Sequence, residues 1–362
     1  MVQTRKNNIP PNAKKVLVWL SGWVDSAVSA YLLKQEGYDV SCGFMINYLD
    51  EENPDSCPTL ADLEEAKKVA AFLGLPLYTF DYREEYEKRI VEYIYREYEA
   101  GRTPNPDVFC NNLVKFDLFL EEALSHGYDS IATGHYARIQ NGKLLKWVDP
   151  SKDQSYFLSR LSGEQLSKSI FPIWHLLKSE VREIAQKAWL PNALRKDSQW
   201  LCFIGKVSMK EFLEKRIPKN PGKILDTSGK VIGEHDGAFS YTIGQRKWIK
   251  VGWWPALFVV DKDTKNNTIT VGGETDLELY SSECSLIEWV GERLIPWKKY
   301  WAKIRYRQED QECEWSMNET LNEVKIQFKK LQRAITPGQI VVLYEDERVI
   351  GSGIITRSYC KR

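Results

Sequence analysis

A short loop near the start of the chain has residue types that suit an anion. It spans Ser21–Ser26 (SGWVDS), between an apolar run typical of a strand and an amphipathic run typical of a helix. A loop before a helix presents unpaired backbone N–H groups and the positive end of the helix dipole, and small residues let an anion approach. The loop therefore predicts a phosphate site, although Ser21 or Asp25 acting as an ordinary N-cap explains the same pattern. The sequence has no GxxxxGK[ST], so this is not a Walker loop.

Cysteine is the second source of chemistry, because a thiolate is a competent nucleophile. The chain has 7 cysteines, an odd and scattered set without a CxxC pair, which argues for a reducing compartment and against a disulfide scaffold or zinc site. Cys110 follows a Pro-Asn-Pro-Asp turn and is predicted to begin a helix, whose start lowers a thiol pKa. A small core residue is the alternative, and it is the better interpretation for Cys42, Cys57, Cys284, Cys313 and Cys360.

The strands and helices that must position these residues follow two different sequence patterns. Through residue 135 the chain alternates strand and helix patterns, with strands at 15–20 and 38–46, a helix at 25–36 and a long helix to Ala100. Repeated βαβ units predict a doubly wound parallel sheet, whose ligands bind at the carboxyl ends of the strands. Beyond about residue 220, short apolar runs separated by Gly, Asp and Asn predict small β-barrels.

Length and composition bound the class of protein. At 362 residues the chain exceeds one ordinary core, which predicts two or three domains. No apolar run approaches the roughly 20 residues of a membrane span, and the polar N-terminal segment is not a secretion signal, so we expect a cytoplasmic protein without a membrane partner. The net charge is zero, so bulk charge does not indicate a nucleic-acid binder, while local basic patches leave that function open.

Further motifs follow the loop in order along the chain. They are GRTPNPDVFCNNLVKF (101–116), ATGHYAR (132–138), KDQSYFL (152–158), KDSQWLCFIG (196–205), GEHDGAFSYTIGQRKW (233–248) and KIRYRQ (303–308). Together with a loop similar to the SGGVDS pyrophosphate loop of N-type ATP pyrophosphatases, they resemble the bacterial and mitochondrial tRNA-specific 2-thiouridylases. The resemblance implies an α/β domain of the adenine nucleotide alpha hydrolase type at 1–207, a central β-rich domain at 208–276 and a C-terminal β-barrel at 277–362.

The resemblance also implies a reaction, namely sulfur transfer to the wobble uridine, position 34, of tRNA. ATP, accompanied by Mg²⁺, adenylates the C2 oxygen of uracil, and a persulfide on Cys202 then delivers sulfur to C2 as AMP departs. Cys110 is the implied partner thiol, which leaves a Cys110–Cys202 disulfide or releases hydrosulfide for the attack. The implied partners are a tRNA with U34 and a persulfide donor, either a cysteine desulfurase or a relay protein, and we expect a monomer.

Site residues follow from the same resemblance. ATP is expected at Trp19, Leu20, Ser21, Gly22, Trp23, Val24, Asp25, Ser26, Met45 and Gly134. The tRNA is expected at Asn105, Pro106, Asp107, Lys152, Asp153, Gln154, Arg305 and Tyr306. Asp107 is also a candidate acid or base, and Asp25 is expected to help hold Mg²⁺. No spacing of His, Cys and Asp resembles a protein metal site.

Tryptophan stands at several positions where the family pattern has glycine. They are Trp19, Trp23, Trp174, Trp189, Trp200, Trp248 and Trp253. A bulky residue forced into a glycine conformation costs about 1–3 kcal/mol, so Trp23 is expected to strain or cover the loop. Trp189, in AQKAWLPN, occupies the usual place of a C-cap glycine. One hypothesis is that UGA codons meaning glycine were read as tryptophan, which the codons of the gene would decide.

Two other functions stay open at this point. The first is another adenylating enzyme of the pyrophosphatase group, such as an amidotransferase-type synthetase, which would have no use for the cysteine pair. The second is a tRNA-binding protein without activity, if Trp23 is genuine and spoils the ATP loop. Calorimetric titration with ATP separates a working loop from a spoiled one.

Overall fold

The computed structural model describes residues 15–49, 58–196, 207–249, 251–252, 256–278, 283–295, 298–318 and 323–359. These residues form two compact units that interleave along the chain. The first unit takes its described residues from 15–90, 107–196 and 347–349, and the second from 91–106, 207–346 and 350–359. Cys202, Trp200 and Trp253 lie outside the described residues.

Strands and helices alternate through residue 196. The strands are β1 (Lys15–Trp19), β2 (Asp39–Ile46), β3 (Leu77–Asp81), β4 (Ser130–Ala132), β5 (Arg138–Gln140), β6 (Lys143–Leu145) and β7 (Ser169–Ile170). The helices are α1 (Val24–Gln35), α2 (Pro58–Leu73), α3 (Arg83–Tyr86), α4 (Glu92–Glu99), α5 (Pro106–Cys110), α6 (Phe119–Ser125), α7 (Gly163–Ser167) and α8 (Lys178–Lys187). A π-helical segment at Glu87–Val91 joins α3 to α4, so the predicted long helix runs without a break up to Glu99 and contains one wider turn.

The first unit is built on a parallel sheet with the strand order β3-β2-β1-β4-β7. Successive residues of a strand point to opposite faces of the sheet. Val16, Leu17 and Val18 of β1 are nevertheless all fully buried. Both faces of the central strand are therefore covered, which explains why it is apolar without alternation.

The connections of this sheet create a switch point beside β1. The chain runs outward from β1 to β2 and β3, and then returns to place β4 on the other side of β1. In open α/β sheets, ligands bind in the crevice outside the carboxyl ends of the strands at such a point. The loop after β1 and the segment after β4 therefore define where a ligand would bind.

The second unit contains mainly strands. Its central elements are α9 (Met209–Glu214), β8 (Gly222–Leu225), β9 (Val231–His235), β10 (Phe258–Asp263), β11 (Thr268–Gly272) and α10 (Glu274–Glu278), and its later strands are β12 (Glu283–Gly291), β13 (Tyr300–Lys303), β14 (Gln311–Asn318), β15 (Glu323–Phe328), β16 (Ile340–Glu345) and β17 (Arg348–Tyr359). The central strands form a sheet in the order β10-β11-β8-β9.

The later strands close on themselves. They follow the order β12-β15-β14-β13-β16-β17, and β17 pairs back with β12 along 351–359. Closure removes the free edges that an open sheet would expose. The predicted fold class, an α/β parallel sheet followed by mainly-β modules with a barrel, is therefore confirmed. Among the described residues no helix is long and apolar enough to cross a membrane.

Candidate active site

The loop between β1 and α1 takes its shape from Gly22. Gly22 has φ +81°, a conformation that favours glycine, and an added Cβ would lie 2.3 Å from the backbone oxygen of Asp62. Trp23, in contrast, has φ −95° and ψ 158°, in the extended region open to any residue. The expectation that Trp23 strains the loop backbone is therefore wrong, because the left-handed turn falls one residue earlier.

The start of α1 is left open for an anion. Trp23 is the N-cap residue and provides no side-chain cap, so neither Ser21 nor Asp25 is the N-cap that the sequence allowed. Ser26 Oγ lies 3.1 Å from Ser21 Oγ, accepts from the backbone N–H of Ser21 at 3.2 Å and donates to Trp23 O at 2.9 Å. The uncapped N–H groups of the first turn, next to two hydroxyls, form the site that a phosphate requires.

The indole of Trp23 is packed beside the loop by its neighbours. Its Nε1 donates to Asp62 Oδ2 at 3.3 Å, and the guanidinium of Arg195 lies 3.8 Å from the ring centroid. Arg195 also donates to Asp62 Oδ1 at 2.5 Å and to Gly22 O at 3.0 Å. Burial raises the pKa of Asp62, while Arg195 and then Trp23 act in the opposite direction. These contacts show how the loop accommodates the indole.

The carboxylate of Asp25 accepts hydrogen bonds from other side chains of the protein. Lys178 Nζ donates to both of its carboxylate oxygens, at 2.7 and 2.8 Å, and Tyr136 OH donates to Oδ1 at 2.6 Å. No described residues bring together three His, Cys, Asp or Glu side chains that could hold a metal. The expectation that Asp25 helps hold Mg²⁺ therefore does not fit this arrangement, since both of its oxygens are already taken by an ammonium.

Lys178 is a site residue that the sequence reasoning missed. It is the first residue of α8 and lies 153 positions from Asp25 in the chain. A cation in the first turn of a helix is disfavoured by the helix dipole, so its position was the available signal. Its ammonium adds a positive charge beside the open first turn of α1.

The remaining predicted ATP residues meet at the same switch point. An added Cβ on Gly134 would lie 2.8 Å from Asp25 C and Ser26 N, so the segment after β4 touches the loop. Leu20 and Val24 are buried and contribute core packing together with their backbone groups. Trp19 ends β1, and Met45 is buried near the end of the neighbouring β2. The structure thus brings the predicted loop and Gly134 together.

The segment that carries Asp107 and Cys110 is helical from an earlier point than predicted. α5 begins at Pro106 and ends at Cys110, where a π-helical segment, Asn111–Leu118, continues it. Cys110 therefore does not start a helix, and the helix dipole is not what would lower its thiol pKa. The thiol is buried, as only 4% of the residue is exposed. Cys202, its predicted partner, lies outside the described residues.

Asp107 stands in the first turn of α5 without a bonded partner. Among the described residues no donor forms a hydrogen bond or ion pair with its carboxyl group. Burial raises its pKa, and the positive charge of Lys115 partly opposes this. A carboxyl group whose pKa is raised toward neutrality suits proton transfer.

The predicted tRNA residues divide into inward-facing and exposed side chains. Asp153 is buried, and its carboxylate accepts from Trp147 N at 2.9 Å and from Ser155 N at 3.1 Å, so its expected contact with tRNA is replaced by a structural role. Gln154 Oε1 accepts from Tyr136 N at 2.9 Å. Lys152 is exposed.

In the second unit, the predicted tRNA residues lie on ordered segments. The exposed Arg305 donates to Ala334 O at 2.9 Å and to Ile243 O at 3.1 Å, so part of its guanidinium is already engaged. Tyr306 follows it and is half-buried. Gln339 Nε2 donates to the backbone oxygens of Thr103 at 2.9 Å and Pro104 at 3.0 Å, which holds the turn before Asn105 and Pro106.

Comparison with known proteins identifies relatives of nearly the full chain. The chain matches the families described as the tRNA methyl transferase HUP domain over residues 14–206, the tRNA methyl transferase PRC-barrel domain over 210–273 and the aminomethyltransferase beta-barrel domain over 283–355. The tRNA-specific 2-thiouridylase MnmA 1 of Geobacillus kaustophilus is 46% identical over 94% of this chain and 95% of that protein. The tRNA-specific 2-thiouridylase MnmA of Shouchella clausii is 45% identical over 95% of this chain and 96% of that protein.

Solved structures overlap this chain much less closely. A 4-thiouridine synthetase solved as a complex with RNA and bound ATP covers 57% of this chain and 50% of that chain, with 17% identity and a TM-score of 0.33. A likeness at that level supports no conclusion about this site.

Proposed function

Since the chain belongs to the tRNA-specific 2-thiouridylase family, we propose that it uses ATP to replace the C2 oxygen of the wobble uridine, U34, of tRNA by sulfur. The supporting observation within the fold is the open first turn of α1 at the switch point of the parallel sheet. Its N–H groups, the hydroxyls of Ser21 and Ser26 and the nearby ammonium of Lys178 suit the phosphates of ATP.

In the proposed first step the uracil C2 oxygen attacks the α-phosphorus of ATP. The new bond joins that oxygen to phosphorus, the bond to the β-phosphate oxygen breaks, and pyrophosphate leaves. A urea-like carbonyl is a poor electrophile, so this activation converts its oxygen into part of a good leaving group. Asp107, whose pKa is raised by burial, would accept the proton that uracil N3 gives up.

The proposed second step transfers sulfur. The terminal sulfur of a persulfide on Cys202 bonds to C2, and AMP leaves with the former C2 oxygen. Cys110 then resolves the persulfide by attack on the sulfur of Cys202, which leaves a Cys110–Cys202 disulfide; alternatively, the same attack precedes transfer and frees hydrosulfide as the nucleophile. A thiol reductant would then reduce the disulfide, and a cysteine desulfurase or a relay protein would reload the freed Cys202 thiol.

We propose that Mg²⁺ arrives with the triphosphate rather than in a site made by the protein. The pairing of Asp25 with Lys178 supports this, because an ammonium occupies both carboxylate oxygens. Bound to the triphosphate, the cation would neutralise part of its charge. A cytoplasmic monomer and the three domains at 1–207, 208–276 and 277–362 complete the proposal.

We also propose residues on each unit that bind tRNA. They are Lys152 and Gln154 on the first unit, and Asn105, Pro106, Arg305 and Tyr306 on the second. Replacing the exposed Lys152 or Arg305 by Ala should weaken tRNA binding and reduce its salt dependence. The log–log slope should fall by roughly 0.9 for each phosphate that the protein no longer neutralises, on the scale of a B-DNA-like duplex. ATP affinity without tRNA should stay unchanged. A salt slope equal to that of the unaltered protein would mean that these side chains face solvent and do not contact the tRNA phosphates.

The tryptophans bear on whether the chain is active. Trp189 and Trp248 have φ of 56° and 73°, which supports the hypothesis that these positions encode glycine. Trp23 gives no such support, and its packed indole leaves the first turn of α1 uncapped, which favours an active enzyme over an inactive tRNA-binding protein. Codons of the gene test the hypothesis: UGG at 189 and 248 would refute it.

The proposed function is tested by reconstitution. The purified chain, an unmodified tRNA with U34, ATP, Mg²⁺ and a persulfide donor should yield 2-thiouridine, detected by mass spectrometry of the digested tRNA. Cys202→Ser and Cys110→Ser should abolish the product and preserve tRNA binding, whereas the matched control Cys57→Ser should remain active. Absence of 2-thiouridine with the unaltered chain, or its presence with both active-site variants, would contradict the proposal.

A further inference from the structure

Lys115 is a buried lysine that forms no ion pair with any of the described residues. Only 7% of the residue is exposed. Among the described residues no group forms a hydrogen bond or ion pair with its ammonium, which instead lies 4.4 Å from the ring centroid of Trp19. Burying an unpaired charge is costly, so such groups are normally paired with an opposite charge or shift their pKa. The position of Lys115 therefore indicates a binding site for an anion.

The residues around Lys115 place that anion between the phosphate loop after β1 and the segment that carries Asp107 and Cys110. Trp19, below the ammonium, is the last residue of β1 and directly precedes the phosphate loop. His135, beside Trp19 with ring centroids 6.2 Å apart, follows Gly134, which touches the loop. Lys115 therefore lies at the switch point of the sheet, on the side of the phosphate loop.

The π-helical segment that carries Lys115 follows α5, which carries Asp107 and Cys110. Asp107 and Cys110 are three residues apart on α5, a spacing that places side chains on one face. The following π-helical segment, Asn111–Leu118, carries Lys115 and continues directly from Cys110. The charge of Lys115 acts on both Asp107 and His135, in agreement with this placement.

A histidine in this cluster cannot supply the negative charge. His135 Nδ1 lies 2.7 Å from Thr133 Oγ1, inside the core. Burial and then the charge of Lys115 hold the pKa of His135 well below its usual range, so the ring is neutral. Asp107, on which the charge of Lys115 acts, forms no ion pair with it among the described residues, so the anion that fits beside the ammonium comes from the ligand.

We propose that Lys115 is a catalytic residue that binds the α-phosphate of ATP and stabilises the charge that develops there during adenylation. This rests on the proposed function. The loop after β1 would hold the departing pyrophosphate, and Asp107 and Cys110 would meet the uracil. During adenylation the α-phosphorus is bonded to the departing pyrophosphate and to the uracil oxygen. It must therefore lie between the loop after β1 and the segment that carries Asp107 and Cys110, next to Lys115. Fixed cations around a transferring phosphoryl group stabilise its transition state.

The first test needs no tRNA and uses ligands that differ only in this phosphate. The unaltered chain should bind AMP at least about tenfold more tightly than adenosine, a difference of about 1.4 kcal/mol. Lys115→Met should remove that preference, while the surface control Lys67→Met should keep it. A purely structural contact between Lys115 and Trp19 predicts that both ligands weaken equally, and that result would refute the proposal.

The second test follows adenylation directly. With the sulfur donor omitted, α-³²P-labelled ATP should transfer label to U34 tRNA. Lys115→Met should slow this transfer by about 10²–10³-fold, the usual effect of losing one transition-state donor. Lys115→Arg, which keeps the charge, should recover at least about tenfold of the rate. Should the Met variant fail to fold, Lys115→Gln and Lys115→Arg provide the same comparison.

The outcomes separate this inference from the proposed function. Labelling by Lys115→Met at the rate of the unaltered chain would refute the role of Lys115 and leave the function standing. A folded Lys115→Arg no faster than Lys115→Gln would refute an electrostatic role. No labelling by either the unaltered chain or Lys67→Met would overturn the proposed function, and this inference with it.

Discussion

Replacing Trp189 by glycine should stabilise the protein. Trp189 follows the C-cap Ala188 of α8, and its N–H donates to Gln186 O at 3.0 Å while Leu190 N donates to Ala185 O at 3.0 Å. This is the Schellman arrangement, in which the residue after the C-cap is left-handed and usually glycine. Trp189 has φ 56° there, and 82% of the residue is exposed, so little packing offsets its strain.

The size of the effect follows from two opposing terms. Placing a residue with a Cβ in the left-handed region costs roughly 1–2 kcal/mol. Glycine gives back part of this gain, about 0.4–1 kcal/mol, through the greater freedom of the unfolded chain. The net expectation for Trp189→Gly is a stabilisation of about 1 kcal/mol, or about 2–4 °C in the transition temperature of a unit of 150–250 residues.

A matched control separates strain from the loss of the indole. Trp189→Ala removes the ring and keeps the Cβ, so it should leave the left-handed strain in place and raise stability little. Urea unfolding followed by circular dichroism, together with calorimetric scans of both variants, measures the difference. A glycine variant no more stable than the alanine variant would refute the assignment of strain to this position.

Three further outcomes are expected. Trp23→Gly should change the ATP Kd measured by calorimetry by less than about threefold, because Trp23 is not strained and is packed against Asp62 and Arg195; a large gain in affinity would mean that the indole blocks the loop. Lys178→Met should weaken ATP binding by at least about tenfold, because it removes the ammonium near the first turn of α1 and leaves the carboxylate of Asp25 without its cation there. Asp107→Asn should stabilise the fold at pH 7, because the folded-state pKa of Asp107 lies above its unfolded value and wild-type stability falls as pH rises through it. In urea titrations that gain should fade below about pH 4, where the carboxyl group is protonated in both states.

The tryptophan pattern shows how one observation can have several physical meanings. All the substitutions looked alike in the sequence, yet only the backbone angles tell them apart. Trp189 and Trp248 occupy a left-handed conformation and are largely exposed. Trp19 and Trp23 lie at the site with ordinary neighbours, including the cations of Lys115 and Arg195 stacked on their rings. Cation–aromatic stacking of this kind is worth about 0.5–2 kcal/mol, so these two rings carry favourable contacts.

Local patterns along the chain were enough to predict the fold class and the loop between β1 and α1. An unbroken apolar β1, a loop of small residues and an amphipathic helix leave few other arrangements, because strand and helix periodicities are local properties of the chain. The same local signals predicted that Trp189 occupies a C-cap position where glycine is usual, and its φ of 56° confirms this. They misplaced the start of α5, although Asn105 before Pro106, followed by the acidic Asp107, is the usual pattern of a helix start.

The charges that face the site are set by contacts between distant parts of the chain. Lys178 meets Asp25 from 153 residues away, and Asp153 turns inward to bond backbone N–H groups. Lys115 lies beside Trp19 and forms no ion pair with the residues that the structure describes. The pKa of Asp107 is likewise set by the depth at which the fold buries it and by the charge of Lys115. Coulomb energy and desolvation depend on distance and surroundings in space, whereas sequence periodicity reports only the neighbours along one element.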